Sequence, residues 1–409
     1  MALGGEWRKE QVNGIVGATS SSGWVYGNYT PNRGEINVKE GFVEVALPLF
    51  DGLNINAAGR YTDYSTSGSV KTWKVCATYS PISDVNFRGT YSHDIRAPNL
   101  SELFLTGSVG SLTVLMPPNA PTPGQVFIQA QSRGNPNVKP EIANTWTAGI
   151  VVTPSFLPGF SASFDYFDIK VKGAIGTVSY QQTVDFCYSG FSQFCDNIVF
   201  AAGQLPSILQ QPTNFARQHA KGFDIEASYR TPLSAISPNL PGVFRIHAAA
   251  THYIKNVIDN LVFPIDYSGV IAYGAGAFGA APSWMCRVSA FYETDAVNIN
   301  LTAHGFNSGV YSNEWIKCTT NCPTSTVQRR TINNNRIDSA LYFDGSISFK
   351  IRPTGNETTL SLIVNNIMNK EPTLVGIDRG ADLFAYPQTA RPLFDTVGRT
   401  FRVALTTKF

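Results

Sequence analysis

The sequence predicts an all-β fold, an antiparallel meander of about 14 strands that forms part of a membrane-spanning barrel. Three observations predict it: segments that alternate apolar and polar residues, connections that are short and long in turn, and no apolar run near the roughly 18 residues that a membrane helix needs. Of the 409 residues, 43% are hydrophobic, 12% aromatic and only 15% charged. Since no linker or change of composition divides the chain, we expect 1–409 to be a single barrel domain.

The alternating segments recur along the whole chain, each near the length that a tilted membrane strand requires. They cover 2–12, 36–49, 53–63, 69–80, 84–95, 142–153, 159–174, 216–230, 243–255, 281–293, 296–306, 336–350, 357–367 and 399–409. In 223–230, for example, Phe223 and Ile225 alternate with Asp224 and Glu226. The charged side chains require water on their face of the sheet, because burying them unpaired is too costly. We therefore expect a lumen that is wide or filled by a polar object.

The lengths of the connections distinguish a barrel from a soluble sheet, which would show the same alternation. Connections from even to odd strands are short, whereas those from odd to even strands are long, at 13–35, 96–141, 175–215, 256–280, 307–335 and 368–398. The short connection 64–68 is the exception. Short turns at one rim and long loops at the other are typical of an outer-membrane barrel. With the last strand running towards the periplasm and Phe409 at the membrane interface, all the long loops lie outside the cell.

Several motifs resemble a known family in their order along the chain. His93 to Phe104, with the sequence HDIRAPNLSELF, resembles the Arg-Ala-Pro-x-Leu-x-Glu-Leu segment of TonB-dependent outer-membrane receptors. Similar segments follow in order, namely NPNVKPE at 135–141, DYFDIK at 165–170, KGFDIE at 221–226, VNNIMNKEP at 364–372 and the terminal Phe409. The resemblance implies a receptor and transporter barrel in the outer membrane of a Gram-negative bacterium. Its ligand would be scarce and taken up with energy from TonB, such as a ferric siderophore, haem, cobalamin or a glycan.

The resemblance also implies parts that this sequence does not contain. Members of the family carry a signal peptide, a TonB box and a globular plug before a barrel of about 22 strands, whereas this chain begins with the strand Ala2 to Arg8. We therefore expect a plugless C-terminal portion with about 14 of the 22 strands, which contacts the TonB complex only through the missing N-terminal region. The alternative is a passive outer-membrane channel or structural barrel that closes on itself.

Four cysteines lie in pairs within two of the long loops. Cys187 and Cys195 share one loop, and Cys318 and Cys322 share another, so two local disulfides are reasonable outside the cytosol. A zinc site or free thiols are the alternatives, although neither pair has a histidine or a second cysteine pair at the usual spacing. Cys76 and Cys286 lie within strands, where we expect them to be small packing residues.

The sequence contains no signal for an enzyme. Five histidines are scattered, and neither a Gly-x-Ser-x-Gly elbow nor a His-Glu-x-x-His motif occurs. Asp224 and Glu226 share a strand two residues apart, as a carboxylate dyad could, but a hydrated lumen wall is the more common reason for such a pair. A formal net charge of +2 does not favour nucleic-acid binding. We predict no catalytic residue, cofactor or metal site.

Ligand contact, if it comes from the outer loops, would involve aromatic and basic side chains. The candidates are Phe104, Phe127, Phe384, Tyr386, Arg391 and Phe394, a set suited to an amphiphilic ligand such as a metal chelate. The alternative is that these residues pack the loops over the barrel mouth. The identity of the ligand does not follow from the sequence. The other expected partner is the lipid of the outer membrane.

Overall fold

A computed structural model describes residues 1–21, 28–259, 264–272, 281–326, 329–351, 357–376 and 388–408. The strands are β1 (Ala2–Asn13), β2 (Asn28–Tyr29), β3 (Arg33–Phe50), β4 (Leu53–Tyr64), β5 (Gly68–Ile82), β6 (Val85–Arg96), β7 (Ser108–Met116), β8 (Gly124–Ser132), β9 (Glu141–Val152), β10 (Phe160–Gly176), β11 (Ile198–Val199), β12 (Ser207–Gln210), β13 (Thr213–Pro232), β14 (Val243–Asp259), β15 (Pro264–Asp266), β16 (Trp284–Glu293), β17 (Val297–Phe306), β18 (Gly309–Val310), β19 (Ile316–Lys317), β20 (Thr331–Ile332), β21 (Arg336–Ile337), β22 (Ala340–Ile351), β23 (Glu357–Asn365) and β24 (Thr400–Lys408). The α-helices are α1 (Ala18–Ser21), α2 (Leu100–Phe104) and α3 (Tyr180–Tyr188), with 3-10 turns at Ser192–Asn197 and Leu233–Ala235. No helix in the described ranges is both long enough and apolar enough to cross a membrane.

One large sheet contains all 14 predicted strands. Its order is β1-β3-β4-β5-β6-β9-β10-β13-β14-β16-β17-β22-β23-β24, with β15 beside β14, and the neighbours along it are antiparallel. The predicted sequential meander is therefore confirmed. Within the described part of the chain, β1 and β24 each pair with one neighbour, so the sheet has two edges and does not close.

Two predicted strands begin three or more residues later than the sequence indicated. The strand expected at 281–293 begins at Trp284, because Ala281 instead forms a bridge with Val270 in the preceding loop. The strand expected at 336–350 begins at Ala340, because β21 pairs with β18 away from the large sheet. The terminal Phe409 lies outside the described residues.

The two rims of the sheet differ as predicted. At one rim, which we call the turn rim, short connections such as 51–52 and 83–84 join neighbouring strands. Gly52 has a φ of 86°, and a Cβ there would lie 2.4 Å from the carbonyl oxygen of Ser80, so this turn requires glycine. At the other rim, the loop rim, the long connections lie together with the short connection 65–67.

The sheet has an apolar face and a polar face, and the buried core lies outside it. Large apolar side chains are exposed along the apolar face, as with Phe401 at 68% and Val403 at 70% exposure. Most buried apolar residues instead gather in four clusters at the loop rim, built from the loops and the adjoining strand ends. An apolar face of this extent is expected of a wall that contacts lipid.

Candidate functional site

The long connections at the loop rim form a second sheet. Its order is β11-β12-β8-β7-β2, drawn from three separate connections of the chain, and we call it the loop sheet. One side packs on α3 through buried Val114, Ile128, Val184 and Ile208. The sequence prediction missed these strands, although Val126, Ile128 and Ala130 alternate with Gln125, Gln129 and Gln131 at 124–132, where only Phe127 interrupts the polar set.

Helix α3 is fixed to the loop sheet by side-chain hydrogen bonds. Ser179 and Gln182 form a capping box at its first turn. The Gln181 side chain accepts a hydrogen bond from the Leu115 amide at 2.8 Å and donates one to the Leu115 carbonyl at 2.9 Å. Its amide also donates to Asp185, whose pKa is nevertheless raised, because burial disfavours the charged carboxylate.

Both cysteine pairs at the loop rim lie within bonding distance. Cys187 at the end of α3 is joined to Cys195, with their Cα atoms 4.8 Å apart, and Cys318 is joined to Cys322, with 5.6 Å between the Cα atoms. Cys76 is a half-buried free thiol and Cys286 an exposed one. Among the described residues, no group of three or more histidine, cysteine, aspartate or glutamate side chains could hold a metal ion.

Two of the motif segments meet in a polar cluster at the loop rim, made of Arg96, Glu102 and Glu141. The Arg96 guanidinium binds the Glu141 carboxylate at 2.7 Å and the Glu102 carboxylate at 3.1 Å. Glu102 also completes the capping box of α2 with Asn99. Glu141 accepts a hydrogen bond from the Ile175 amide at 2.6 Å. The cluster therefore joins the ends of β6, β9 and β10 to α2.

The segment 135–141 extends this junction to β13. The backbone amide of Asn135 donates a hydrogen bond to the backbone carbonyl of Glu102. The side-chain amide of Asn135 donates another to the backbone carbonyl of Pro212. Val138 is buried beside Leu103. The backbone amide of Lys139 donates to the side chain of Asn214 at 2.7 Å. Both ends of the connection 97–140 are thus held at one place on the rim.

On the polar face, an ion pair spans a strand. The Arg88 guanidinium on β6 binds both carboxylate oxygens of Asp165 on β10, with the Nε to Oδ1 distance at 2.7 Å. Gly149 of the intervening β9 lies directly between them in register. A Cβ at Gly149 would be 2.1 Å from Asp165 Oδ1, so only glycine leaves room for this pair.

The same part of the polar face borders an open cavity of about 560 Å³. Its lining includes Arg88, Asp165, Asp224, Glu226 and Arg287. Asp224 accepts a hydrogen bond from Thr251 at 2.6 Å, and Glu226 lies 3.7 Å from His247. Asp224 and Glu226 therefore belong to a hydrated, charged wall. Sequence reasoning singled out these two carboxylates but missed Gly149, because its role depends on the registers of β9 against β6 and β10.

Two other motif segments also lie at structural joints. Gly222 lies where a bulge shifts the register of β13 against β14, and a Cβ there would be 2.1 Å from the carbonyl oxygen of His252. Asn366 is buried with a φ of 50°. Its backbone amide donates to Asp344, and its side-chain amide donates to Asp395. These contacts explain the motifs as structural features of the barrel, independent of any ligand.

The candidate ligand contacts occupy different environments. Phe127 is 52% exposed on the loop sheet. Phe104 is half-buried against Gly34 in the cluster with Leu103, and Phe394 is 2% exposed in the cluster with Ile271. Arg391 is half-buried. Phe384 and Tyr386 lie outside the described residues.

A family profile described as "TonB dependent receptor-like, beta-barrel" matches residues 2–367. The chain belongs to this family. No curated protein sequence matches this chain. The family assignment agrees with the meander, its two unequal rims and its opposed apolar and polar faces.

Solved structures share the fold at low sequence identity. A mutant ferric enterobactin receptor, PfeA, from Pseudomonas aeruginosa has a TM-score of 0.62 at 14% identity, covering 98% of this chain and 50% of its own. The siderophore receptor PirA from Acinetobacter baumannii has a TM-score of 0.59 at 13% identity, covering 98% and 51%. The ferric citrate transporter FecA has a TM-score of 0.50 at 11% identity, covering 92% and 46%. The chain thus spans about half the length of the structures that it matches.

Proposed function

We propose that this chain is the barrel portion of an outer-membrane receptor for TonB-powered uptake of a scarce ligand, such as a ferric siderophore. The observation that carries the proposal is the wall itself, a 14-strand meander with an exposed apolar face and a charged polar face, in a chain of this receptor family. Such a wall fits between lipid and a water-filled or plugged lumen. The loop rim would then face the outside of the cell.

The names of structural neighbours and the exposure of one aromatic side chain at the loop rim support the proposed ligand class. Structural neighbours carry names that refer to ferric enterobactin, a siderophore and ferric citrate, all of which concern iron or its chelates. Phe127 has the exposure needed to contact an amphiphilic chelate directly. For Phe104, Arg391 and Phe394, contact would require the loops that cover them to open. Phe384 and Tyr386 complete the proposed set.

An uptake assay tests the proposal. Residues 1–409 alone, and the same residues preceded by the region encoded upstream, are expressed in a strain that lacks its siderophore receptors, and iron accumulation from ferric siderophores is measured. Energy coupling in this family works through a plug and a TonB-contacting segment. We therefore expect uptake only with the upstream region, and only while the TonB motor is intact.

The alternative functions appear as distinct outcomes of the same assay. Energy-dependent accumulation by 1–409 alone would contradict the proposed division between barrel and plug. Insertion of 1–409 with ion conduction that needs no motor would establish a passive channel instead. Two unpaired sheet edges in lipid are costly, which argues against stable insertion of the 14 strands alone.

A further inference from the structure

We propose that the loop sheet binds an uncharged polysaccharide chain outside the cell, on the side that faces away from α3. We call this side the outer face and define it by six exposed side chains of β7 and β8: Ser111, Thr113, Leu115, Gln125, Phe127 and Gln129. Of the described candidate ligand contacts, Phe127 alone belongs to it. The proposal goes beyond ligand uptake and rests on the proposed function only in placing the loop rim outside the cell.

Strand register collects these side chains on one face. Thr113 lies directly opposite Phe127, and the pairs on either side follow the same register. The alternate residues Val114 and Ile128 are buried in the cluster with α3. Because successive side chains of a strand point to opposite faces, the six side chains of the outer face point away from α3. All six are exposed.

The outer face carries no charge. From Leu103 to Ser132 the sequence contains no aspartate, glutamate, lysine, arginine or histidine, although 15% of the chain is charged. The strands β2, β11 and β12 contain none of these residues either. Charged side chains are common on exposed protein surfaces, and an anionic chelate would be attracted by basic ones. A face without them favours an uncharged ligand.

The side chains of the outer face supply both kinds of contact that a neutral sugar makes. Phe127 is 52% exposed and presents an apolar ring on which the C–H groups of a sugar can stack. Glutamine amides and serine or threonine hydroxyls both donate and accept hydrogen bonds, as sugar hydroxyls do. Within the described part of the chain, the side chains of Ser111, Thr113 and Gln125 form no hydrogen bond and are available to a ligand.

One glutamine of this row is already held in place. The side-chain amide of Gln131 donates a hydrogen bond to the side-chain oxygen of Gln129 at 3.1 Å. This bond leaves the Gln129 amide nitrogen free to donate to a ligand oxygen. A side chain that is held before binding loses less conformational entropy when the ligand arrives.

The shape of the outer face suits an extended chain. Side chains on one face of a strand are about 6.8 Å apart, so Gln125, Phe127 and Gln129 span about 14 Å along β8, with β7 about 4.8 Å to one side. Since these side chains are exposed along the whole row, the face does not enclose a small molecule. A linear polysaccharide that meets several side chains in turn fits it better than a compact chelate does.

Two residues outside the outer face provide matched controls. Phe156 is 86% exposed in the connection between β9 and β10 at the turn rim, so F156A removes the same ring from the opposite rim. Arg133 is exposed and directly follows β8. The variant R133Q therefore tests whether a charge beside the outer face contributes to binding.

The test measures polysaccharide binding by the full-length receptor. The purified receptor is applied to an array of neutral and acidic polysaccharides, and the affinity for those that bind is measured at low and high salt. The wild type should bind a neutral polysaccharide, with an affinity that changes by less than about twofold with salt, because no charges are screened. F127A and Q125A/Q129A should each weaken binding by about fivefold or more, whereas F156A and R133Q should change it by less than about twofold.

Two further measurements separate a lost contact from a misfolded loop sheet. F127Y keeps the ring and should retain binding. Hydrogen exchange in α3 should be the same in F127A as in the wild type, because Phe127 lies on the side of the sheet that faces away from the buried cluster. Lost binding in F127Y with α3 still protected would contradict stacking on the ring.

Four results would overturn the proposal. They are a wild type that binds no neutral polysaccharide, binding of acidic polysaccharides that R133Q or high salt abolishes, an equal loss in F156A, and pairing of two receptors through the outer face without polysaccharide binding. Uptake of the bound polysaccharide by the TonB motor would overturn its role outside the cell. Because the array uses neither siderophore nor TonB, loss of uptake with retained polysaccharide binding would refute only the proposed function.

Discussion

Gly149→Ala should destabilise the wall by breaking the ion pair between Arg88 and Asp165. The new Cβ would lie 2.1 Å from Asp165 Oδ1, 2.8 Å from its Cγ and 3.0 Å from the carbonyl oxygen of Phe164. The Asp165 side chain must rotate away, because the backbone of β9 is held by strands on both sides. The variant therefore removes an ion pair and adds a steric contact.

The expected loss in the free energy of unfolding follows from these two effects. The Arg88 and Asp165 side chains are 48% and 27% exposed, so solvent screening limits the ion pair to about 1 kcal/mol. Adding a methyl group to a filled position costs roughly 1–3 kcal/mol when the neighbours must move. We expect the free energy of unfolding to fall by about 2 kcal/mol in total. Urea unfolding in lipid vesicles, followed by tryptophan fluorescence, measures this as a lower midpoint at an unchanged slope.

Two controls test whether contact with the Asp165 carboxylate causes the loss of stability: the same substitution in an Asp165→Ala background, and the substitution of another glycine in a neighbouring strand. In Asp165→Ala, the carboxylate that the new methyl group would meet is absent, so adding Gly149→Ala should cost less than about 1 kcal/mol. Gly89→Ala on the neighbouring β6 places its Cβ 3.7 Å from the nearest atom, which is ordinary contact, and should be nearly neutral. An equal cost of Gly149→Ala in both backgrounds would assign the effect to the Phe164 backbone and refute the role given to the ion pair.

Three further predictions concern the loop rim. Non-reducing peptide mapping of material from the outer membrane should find Cys187 linked to Cys195 and Cys318 linked to Cys322, and recovery of both pairs as free thiols would contradict this. Glu141→Gln should weaken the bond to Arg96 and speed hydrogen exchange at both ends of 97–140, whereas exchange at the turn 83–84 should not change. Because burial raises the pKa of Asp185, the folded loop sheet binds more protons than the unfolded one, so its stability should fall as pH rises above the ordinary value of 3.8. Corrected exchange rates in α3 across that range should show this slope, and Asp185→Asn should remove it.

The strands of the wall could be predicted because each strand is determined by residues that are close together in the sequence. Alternation of side chains and the lengths of turns decide the strands and their order without any distant contact, which is why all 14 strands were located. The loop sheet depends on pairing between three separate connections, as in the parallel pairing of β12 with β8. No local pattern specifies that pairing.

The same distinction applies to the candidate site. Asp224 and Glu226 could be assigned to a hydrated lumen wall from their alternation with apolar residues alone. The role of Gly149 requires the registers of both of its neighbours, and packing of Phe394 requires knowing which loops meet above β22. Residues whose function depends on such contacts cannot be found without the three-dimensional arrangement.

The difference between the two rims bears on the order in which the chain folds. Strands β3 and β4 are joined by residues 51–52 alone, so closing that hairpin costs little chain entropy. The loop sheet cannot be completed until β2, β7, β8, β11 and β12 have come together from connections that lie far apart in the chain. We expect hairpins to form first along the turn rim, with the loop sheet assembling late upon them. A slow final step in folding would then coincide with completion of the loop rim.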